Sequence, residues 1–184
     1  LWNGDCIPVI PSQGSVGASG DLAPLSHMAL PLIGHGEVHH GGKVIPGQKA
    51  LQKLGREPLV LREKEGLALI NGTQIMTAIG ALAVHEAIVL AKTADVVCAM
   101  TVEALRGTDK AFDARIHAVR PHTGQVASAA NLRTLLQGSK VLPSHRDCKK
   151  VQDAYSLRCA PQVHGTSKDG IRYALEVVVT EANA

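Results

Sequence analysis

Between Thr73 and Arg106 the sequence contains no proline, and its side chains are apolar on most sides of a helical period, with His85, Glu86, Lys92, Asp95 and Glu103 as the exceptions. At 1.5 Å per residue such a stretch makes a helix of roughly 50 Å. A helix apolar nearly all round is unsuited to a surface and belongs in the middle of a bundle or an oligomer. The chain is therefore expected to be mainly α. Asn71-Gly72-Thr73-Gln74 stands ahead of the stretch at capping-box spacing, and Gly107 offers a C-terminal stop. The longest apolar stretch, Ile75 to Val84, is too short to span a bilayer before His85 and Glu86 interrupt it.

The flanking elements follow from local punctuation. Asp21 is placed to cap a helix that holds Pro24 in its tolerant first turn, is kinked or ended by Pro31, and is finished by Gly34. Glu37 to Ile45 reads as a hairpin turning at Gly41-Gly42, and Gln48 to Leu54 as a short helix closed by Gly55, with Pro58 as a stop. Thr123 to Gln137 is expected to be helical, burying Val126, Ala129, Ala130 and Leu136 and ending at Gly138. Leu142 to Pro161 reads mainly as loop. A last helix starts near Ser167, with Ile171, Ala174, Leu175, Val178 and Ala182 at helical spacing, which outweighs the strand tendency of Val177-Val178-Val179. The sequence shows no internal repeat. The fold class is thus a long-helix bundle with a small β-hairpin excursion, and residues 1–184 form a single domain piece. The chain opens at Leu1 without methionine and stops at Ala184 inside a helical pattern, as expected of a piece of a longer protein.

Composition narrows the function. Apolar residues make up 45% of the 184 residues, enough for a real core. The formal charge of +3 comes without a Lys/Arg block, and aromatics amount to only 2%, so nucleic-acid binding has neither an electrostatic track nor stacking platforms. Cys6, Cys98, Cys148 and Cys159 have no metal-like spacing and read as reduced thiols of a cytoplasmic protein. No signal peptide is visible. Familiar catalytic patterns fail: Gly14, Gly17 and Gly20 lack a preceding strand, no Gly-Lys-Ser/Thr follows, His85-Glu86 has Val89 where a zinc protease needs histidine, and Ser19 lacks a nucleophile elbow's second glycine. His35, His39 and His40 are read as a solvated hairpin loop, with no metal site expected.

The stretch Gly14-Ser15-Val16-Gly17-Ala18-Ser19-Gly20-Asp21-Leu22-Ala23-Pro24 carries the distinctive chemistry. Gly20, lacking a Cβ, can bring its backbone nitrogen onto the carbonyl carbon of Ala18. Closing that bond, with loss of water from the ring and from Ser19, leaves a methylidene-imidazolone, an electrophile made of backbone. Most Gly/Ser runs are simply turns, so the rest of the chain has to support this reading.

Together with Leu25, that stretch closely resembles the signature of the aromatic amino acid ammonia-lyases and aminomutases. Two further segments match in order: Glu65-Gly66-Leu67-Ala68-Leu69-Ile70-Asn71-Gly72-Thr73-Gln74, and Val151-Gln152-Asp153-Ala154-Tyr155-Ser156-Leu157-Arg158-Cys159. The similarity runs on through Pro161-Gln162-Val163-His164-Gly165 and covers essentially the whole chain. Tyr-Ser-Leu-Arg-Cys followed by Pro-Gln-Val resembles the histidine branch more than the phenylalanine or tyrosine branches. Pro31 is unusual for the family at its position and bears on the geometry of the first helix.

The resemblance implies an autocatalytic 4-methylidene-imidazol-5-one (MIO) made from Ala18, Ser19 and Gly20, with no external cofactor. It implies elimination of ammonia from L-histidine to give trans-urocanate. Asp21 would help fold the tripeptide, or act only as the helix cap. Asn71 would hydrogen-bond the substrate or the cofactor's oxygen, or cap a helix. Arg158 would hold the substrate carboxylate with its planar donor fork. Gln152 and Tyr155 would orient the substrate and take part in proton transfer, or be ordinary loop residues. The resemblance further implies a homotetramer whose sites are shared between subunits, with the family's principal catalytic tyrosine and side-chain-reading residues on segments absent from this chain. A phenylalanine or tyrosine lyase or aminomutase, and a truncated non-catalytic homologue with an assembly role, remain as alternatives.

Overall fold

The computed structural model describes residues 1–184, which divide into two compact units, Leu1–Gly80 and Ala81–Ala184. It is mainly helical with a small antiparallel sheet. In chain order the elements are β1 (Ile7–Pro8), α1 (Leu22–Ala29), β2 (Glu37–His40), β3 (Lys43–Pro46), α2 (Gly47–Lys53), α3 (Glu65–Ile70), α4 (Gln74–Ala104), α5 (Ala114–Ala118), α6 (Thr123–Leu136), α7 (Val141–Ser144), α8 (Tyr155–Arg158) and α9 (Ala160–Ala182).

In the first unit the expected hairpin forms, pairing Glu37 with Pro46 and His40 with Lys43. Gly41 and Gly42 turn it with φ of 55° and 74°, a pair of left-handed residues that matches the twist of the flanking strands. A third strand, β1, adds to the free edge through Ile7 opposite His39. Two residues carry no readable alternation, which is why it escapes the sequence pattern. Cys6, Val38 and Ala50 form the core beneath the sheet. The helix opening at Leu22 gives way at Leu30 to a 3-10 turn through Ile33 that buries Pro31, and Gly34 stops it at φ 83°. Pro31 thus ends the α-helix. α1 then packs on α3, which the sequence pattern does not reveal.

The long helix α4 is continuous through His85 and Glu86 and starts and stops within two residues of its expected bounds. Its end differs from expectation in one respect. Arg106, not Gly107, takes the left-handed position (φ 50°). Arg106 N–H donates to Glu103 C=O (2.9 Å) and Gly107 N–H to Val102 C=O (2.7 Å), the two bonds of a Schellman close. Only Asp95, Cys98, Ala99 and Val102 of this helix are buried, while Leu82, Leu90 and Met100 are 69%, 69% and 64% exposed. The chain itself therefore covers only the last part of a helix expected to lie in an interior. By length and composition alone the Glu65–Ala104 stretch, which joins α3 and α4, is apolar enough to cross a membrane, a test that the core helix of a bundle passes equally.

The second unit is built on α4, α6 and α9. Its core joins Cys98, Ala99, Val102, Phe112, Leu132, Leu136 and Ala160. Asp95 is fully buried and accepts from Asn131 Nδ2 of α6 (2.9 Å), His164 Nδ1 of α9 (2.9 Å) and Lys168 Nζ of α9. Burial works against the Asp95 carboxylate, but its bonds to Lys168, Asn131 and His164 outweigh it and hold the group below the usual carboxylate range. Burial also pushes the neighbouring Cys98 thiol up, and all four cysteines are free.

α6 and α9 cross at bare backbone. A Cβ on Gly124 would lie 2.1 Å from Gly165 O, and one on Gly165 would lie 2.3 Å from Gln125 N. This crossing rotates the buried side of α6 away from the expected one: Gln125, Ser128, Ala129, Leu132 and Leu136 are inside, Val126 is exposed and Ala130 half-buried. Gln125 is satisfied by the buried His117, whose other ring nitrogen meets Ala111 C=O at 3.0 Å. α9 begins at Ala160, well before Ser167, because Pro161 falls in its first turn, where no N–H is needed.

Two outcomes follow for the second unit. Gly165→Ala lowers stability by about 1–3 kcal/mol, since backbone must move, whereas Gly170→Ala on the same helix meets nothing within 4 Å and gains up to about 1 kcal/mol; urea midpoints measure both. Because its folded pKa is lowered, Asp95 contributes stability above the ordinary carboxylate value and loses it as pH falls through the folded one. Asp95→Asn is therefore expected to cost about 3 kcal/mol at pH 7, and its deficit relative to the parent shrinks below about pH 4.

Candidate active site

The glycine-rich stretch 14–20 has no regular structure, and its shape comes from one carboxylate. Asp21 occupies the N-cap position of α1, yet its side chain makes no capping bond. Instead Oδ2 accepts from Ser15 Oγ (2.6 Å) and Oδ1 from Val16 N–H (2.7 Å), while Gly17 N–H donates to Ser15 Oγ (3.1 Å). Asp21 is 1% exposed, so the loop is drawn around a buried anion at the start of a helix, where the helix field favours negative charge. Of the two roles open to Asp21, the side chain serves the loop. Sequence reasoning missed Ser15, whose hydroxyl is the only side-chain partner of Asp21; its place inside the motif was the signal.

Ala18 and Ser19 lie exposed on a bend through residues 17–19. Gly17 and Gly20 hold φ of 67° and 91°, values that a side chain would strain. Gly20 N–H donates to Gly72 C=O at 3.2 Å. A Cβ on Gly20 would sit 2.8 Å from Asn71 Oδ1, so the asparagine amide fills the space left by the missing side chain. Asn71 closes α3 as its C-terminal cap, its N–H bonded to Leu67 C=O (2.9 Å), and turns its side-chain oxygen to Gly20. The first unit thus assembles Ala18, Ser19, Gly20, Asp21 and Asn71 into one group. The contribution of Gly72 is a backbone carbonyl, which leaves no mark in a sequence.

In the second unit Tyr155 and Arg158 are brought together, while Gln152 lines a separate cavity that neither of them lines. Tyr155 and Arg158 open and close the single turn α8, with the Arg158 guanidinium 5.6 Å from the Tyr155 ring centre. Tyr155 is 73% exposed, and Arg158 half-buried. Arg158 Nε donates to Asp153 C=O at 3.0 Å, and its two terminal amino groups make no ion pair within the chain. Gln152 lines a cavity of about 670 Å³ together with Asp153, Arg106, Lys110, Arg146 and Lys150. An arginine with a free bidentate edge beside an exposed phenol is suited to a carboxylate next to a proton donor or acceptor.

An exposed serine, a glycine that tolerates no Cβ and a buried aspartate bonded just upstream of the bend are compatible with backbone cyclisation. The residues present fit an imidazolone made from Ala18, Ser19 and Gly20. The family profile for aromatic amino acid lyases matches residues 1–184. Histidine ammonia-lyase of Gloeobacter violaceus is 59% identical over 96% of this chain and 34% of its own length. The crystal structure of histidine ammonia-lyase from Trypanosoma cruzi superposes with a TM-score of 0.82 at 45% identity, over 100% of this chain and 33% of that one. Tyrosine aminomutase from Streptomyces globisporus superposes with a TM-score of 0.83 at 41% identity, over 99% of this chain and 38% of that one. The chain spans about a third of the length of the curated relatives it matches. With the whole of it inside the family profile, and the loop, the asparagine and the arginine turn all formed, the chain belongs to the aromatic amino acid lyase family.

Proposed function

We propose that the protein to which this chain belongs is a carbon–nitrogen lyase that eliminates ammonia from L-histidine to give trans-urocanate. The observation that carries this reading is the 59% identity with a histidine ammonia-lyase across 96% of the chain; among solved structures the identity is 45% with a histidine ammonia-lyase and 41% with a tyrosine aminomutase. The site residues support it. A methylidene-imidazolone supplies an electrophilic carbon that draws electron density from a substrate whose β-proton is weakly acidic and whose ammonium leaves poorly.

The chain's own residues divide the remaining work. Asp21, through Ser15 and Val16, folds the loop so that Gly20 N can approach Ala18. Gly72 C=O holds the proton of Gly20 N–H, and Asn71 presents its amide to the same point. Arg158 offers its terminal amino groups to the substrate carboxylate. In this reading Gln152 orients the amino acid and Tyr155 Oη exchanges a proton, an effect of roughly 10²–10⁴-fold for a positioned acid or base. The exposed apolar faces of α4 and α9, with Leu82, Leu90, Met100, Val163 and Tyr173 outward, are covered by further copies in a homotetramer that completes each site between subunits. The four free thiols suit a cytoplasmic enzyme.

The intact protein should weigh two waters less than its sequence, and Ser19→Ala is expected to abolish both that deficit and turnover; retained activity refutes the mechanism. Assaying the protein on L-histidine, L-phenylalanine and L-tyrosine should give urocanate with the first. A cinnamate, a coumarate or a β-amino acid as main product would instead establish the phenylalanine or tyrosine reading.

A further inference from the structure

Arg158 is a long side chain with many rotamers, and half of one edge of its guanidinium is committed to a main-chain carbonyl, that of Asp153. A carbonyl aims an arginine only as well as its own segment is fixed. The segment between α7 and α8 has no regular structure, and Gln152 and Ala154 on either side of Asp153 are exposed. What ties it down is the Asp153 side chain, whose Oδ2 accepts Thr108 N–H at 2.7 Å. Thr108 stands directly beyond the Schellman close of α4, the longest helix in the chain.

Gly107 makes that approach possible. It is buried and does not hold the left-handed conformation, which belongs to Arg106, so backbone freedom does not explain a glycine here. Space does. A Cβ on Gly107 would lie 2.9 Å from Asp153 Oδ2 and 3.2 Å from both Val102 Cγ1 and Val102 O. Asp153 forms no ion pair with Arg158; its carboxylate meets a backbone N–H and its carbonyl meets the guanidinium. Its influence on Arg158 is therefore one of position.

We propose that Asp153 is a positioning residue that aims the free edge of Arg158 at the substrate carboxylate, anchored to the end of α4 through Thr108 N–H and admitted there by Gly107. The inference rests on the carboxylate-binding role proposed above for Arg158. The test is steady-state kinetics of the intact protein on L-histidine, with histamine, which is histidine without its carboxylate, as a competitive inhibitor. Asp153→Ala should raise KM by roughly 10- to 100-fold with a smaller change in kcat, and leave the histamine inhibition constant unchanged. Asp153→Asn, whose amide oxygen still accepts from Thr108 N–H, should restore most of KM. Should Asp153→Ala not fold, Gly107→Ala, which keeps the carboxylate but crowds it, should give the same KM rise with histamine unaffected. Equal KM rises for Asp153→Ala and Asp153→Asn would mean that charge, not position, matters, and would overturn the proposal. So would an equal weakening of histamine. If Arg158→Ala itself leaves KM unchanged, the role given to Arg158 fails; if only Asp153→Ala does, the positioning fails alone.

Discussion

Removing a carboxylate from water costs several kcal/mol unless hydrogen-bond donors replace the solvent. Both units of this chain meet that condition at one fully enclosed aspartate. In the first, Asp21 gathers Ser15 and Val16 and so bends the backbone that carries Ala18, Ser19 and Gly20. In the second, Asp95 gathers Asn131, His164 and Lys168 and so fixes α6 and α9 on α4. The requirement is directional. An apolar contact tolerates sliding, whereas a buried anion holds its donors to within a few tenths of an ångström. The loop that carries Ala18, Ser19 and Gly20 and the helices that flank the Tyr155–Arg158 turn are both placed by this demand.

Around these anions the packing is set by what is absent from glycines. Gly20 leaves room for Asn71, Gly107 for Asp153, and Gly124 and Gly165 for each other. Only the first of these has a left-handed backbone; the other three are glycines because something comes close. Conformational freedom and close approach are different reasons for the same residue.

That distinction also explains how far the sequence could be read. The long helix, the Gly41-Gly42 hairpin and the stops at Gly34 and Gly55 were legible because their causes are local: periodicity, left-handed turns and capping. Gly107 was read as a helix stop because a glycine after an apolar run usually is one, while the contact that uses it comes from Asp153, distant in sequence. The buried side of α6 was misjudged for the same reason, since Gln125 is drawn inside by His117 and by the approach of Gly165 on α9. The tripeptide, Asn71 and Arg158 were legible from ordered motifs. Gly72 and Thr108 were not, because each acts through its main chain, which is the same whatever the residue.

The crossing of α6 and α9 has a consequence for how this protein can vary over time. Where two side chains touch, one substitution can be answered by another, and a large-small pair can become small-large. At Gly124 and Gly165 each missing methyl faces backbone, and no replacement elsewhere can trim a peptide unit. The two positions are therefore closed to compensation: their neighbours are free to drift, while the point where the helices touch is inherited unchanged or the helices move apart.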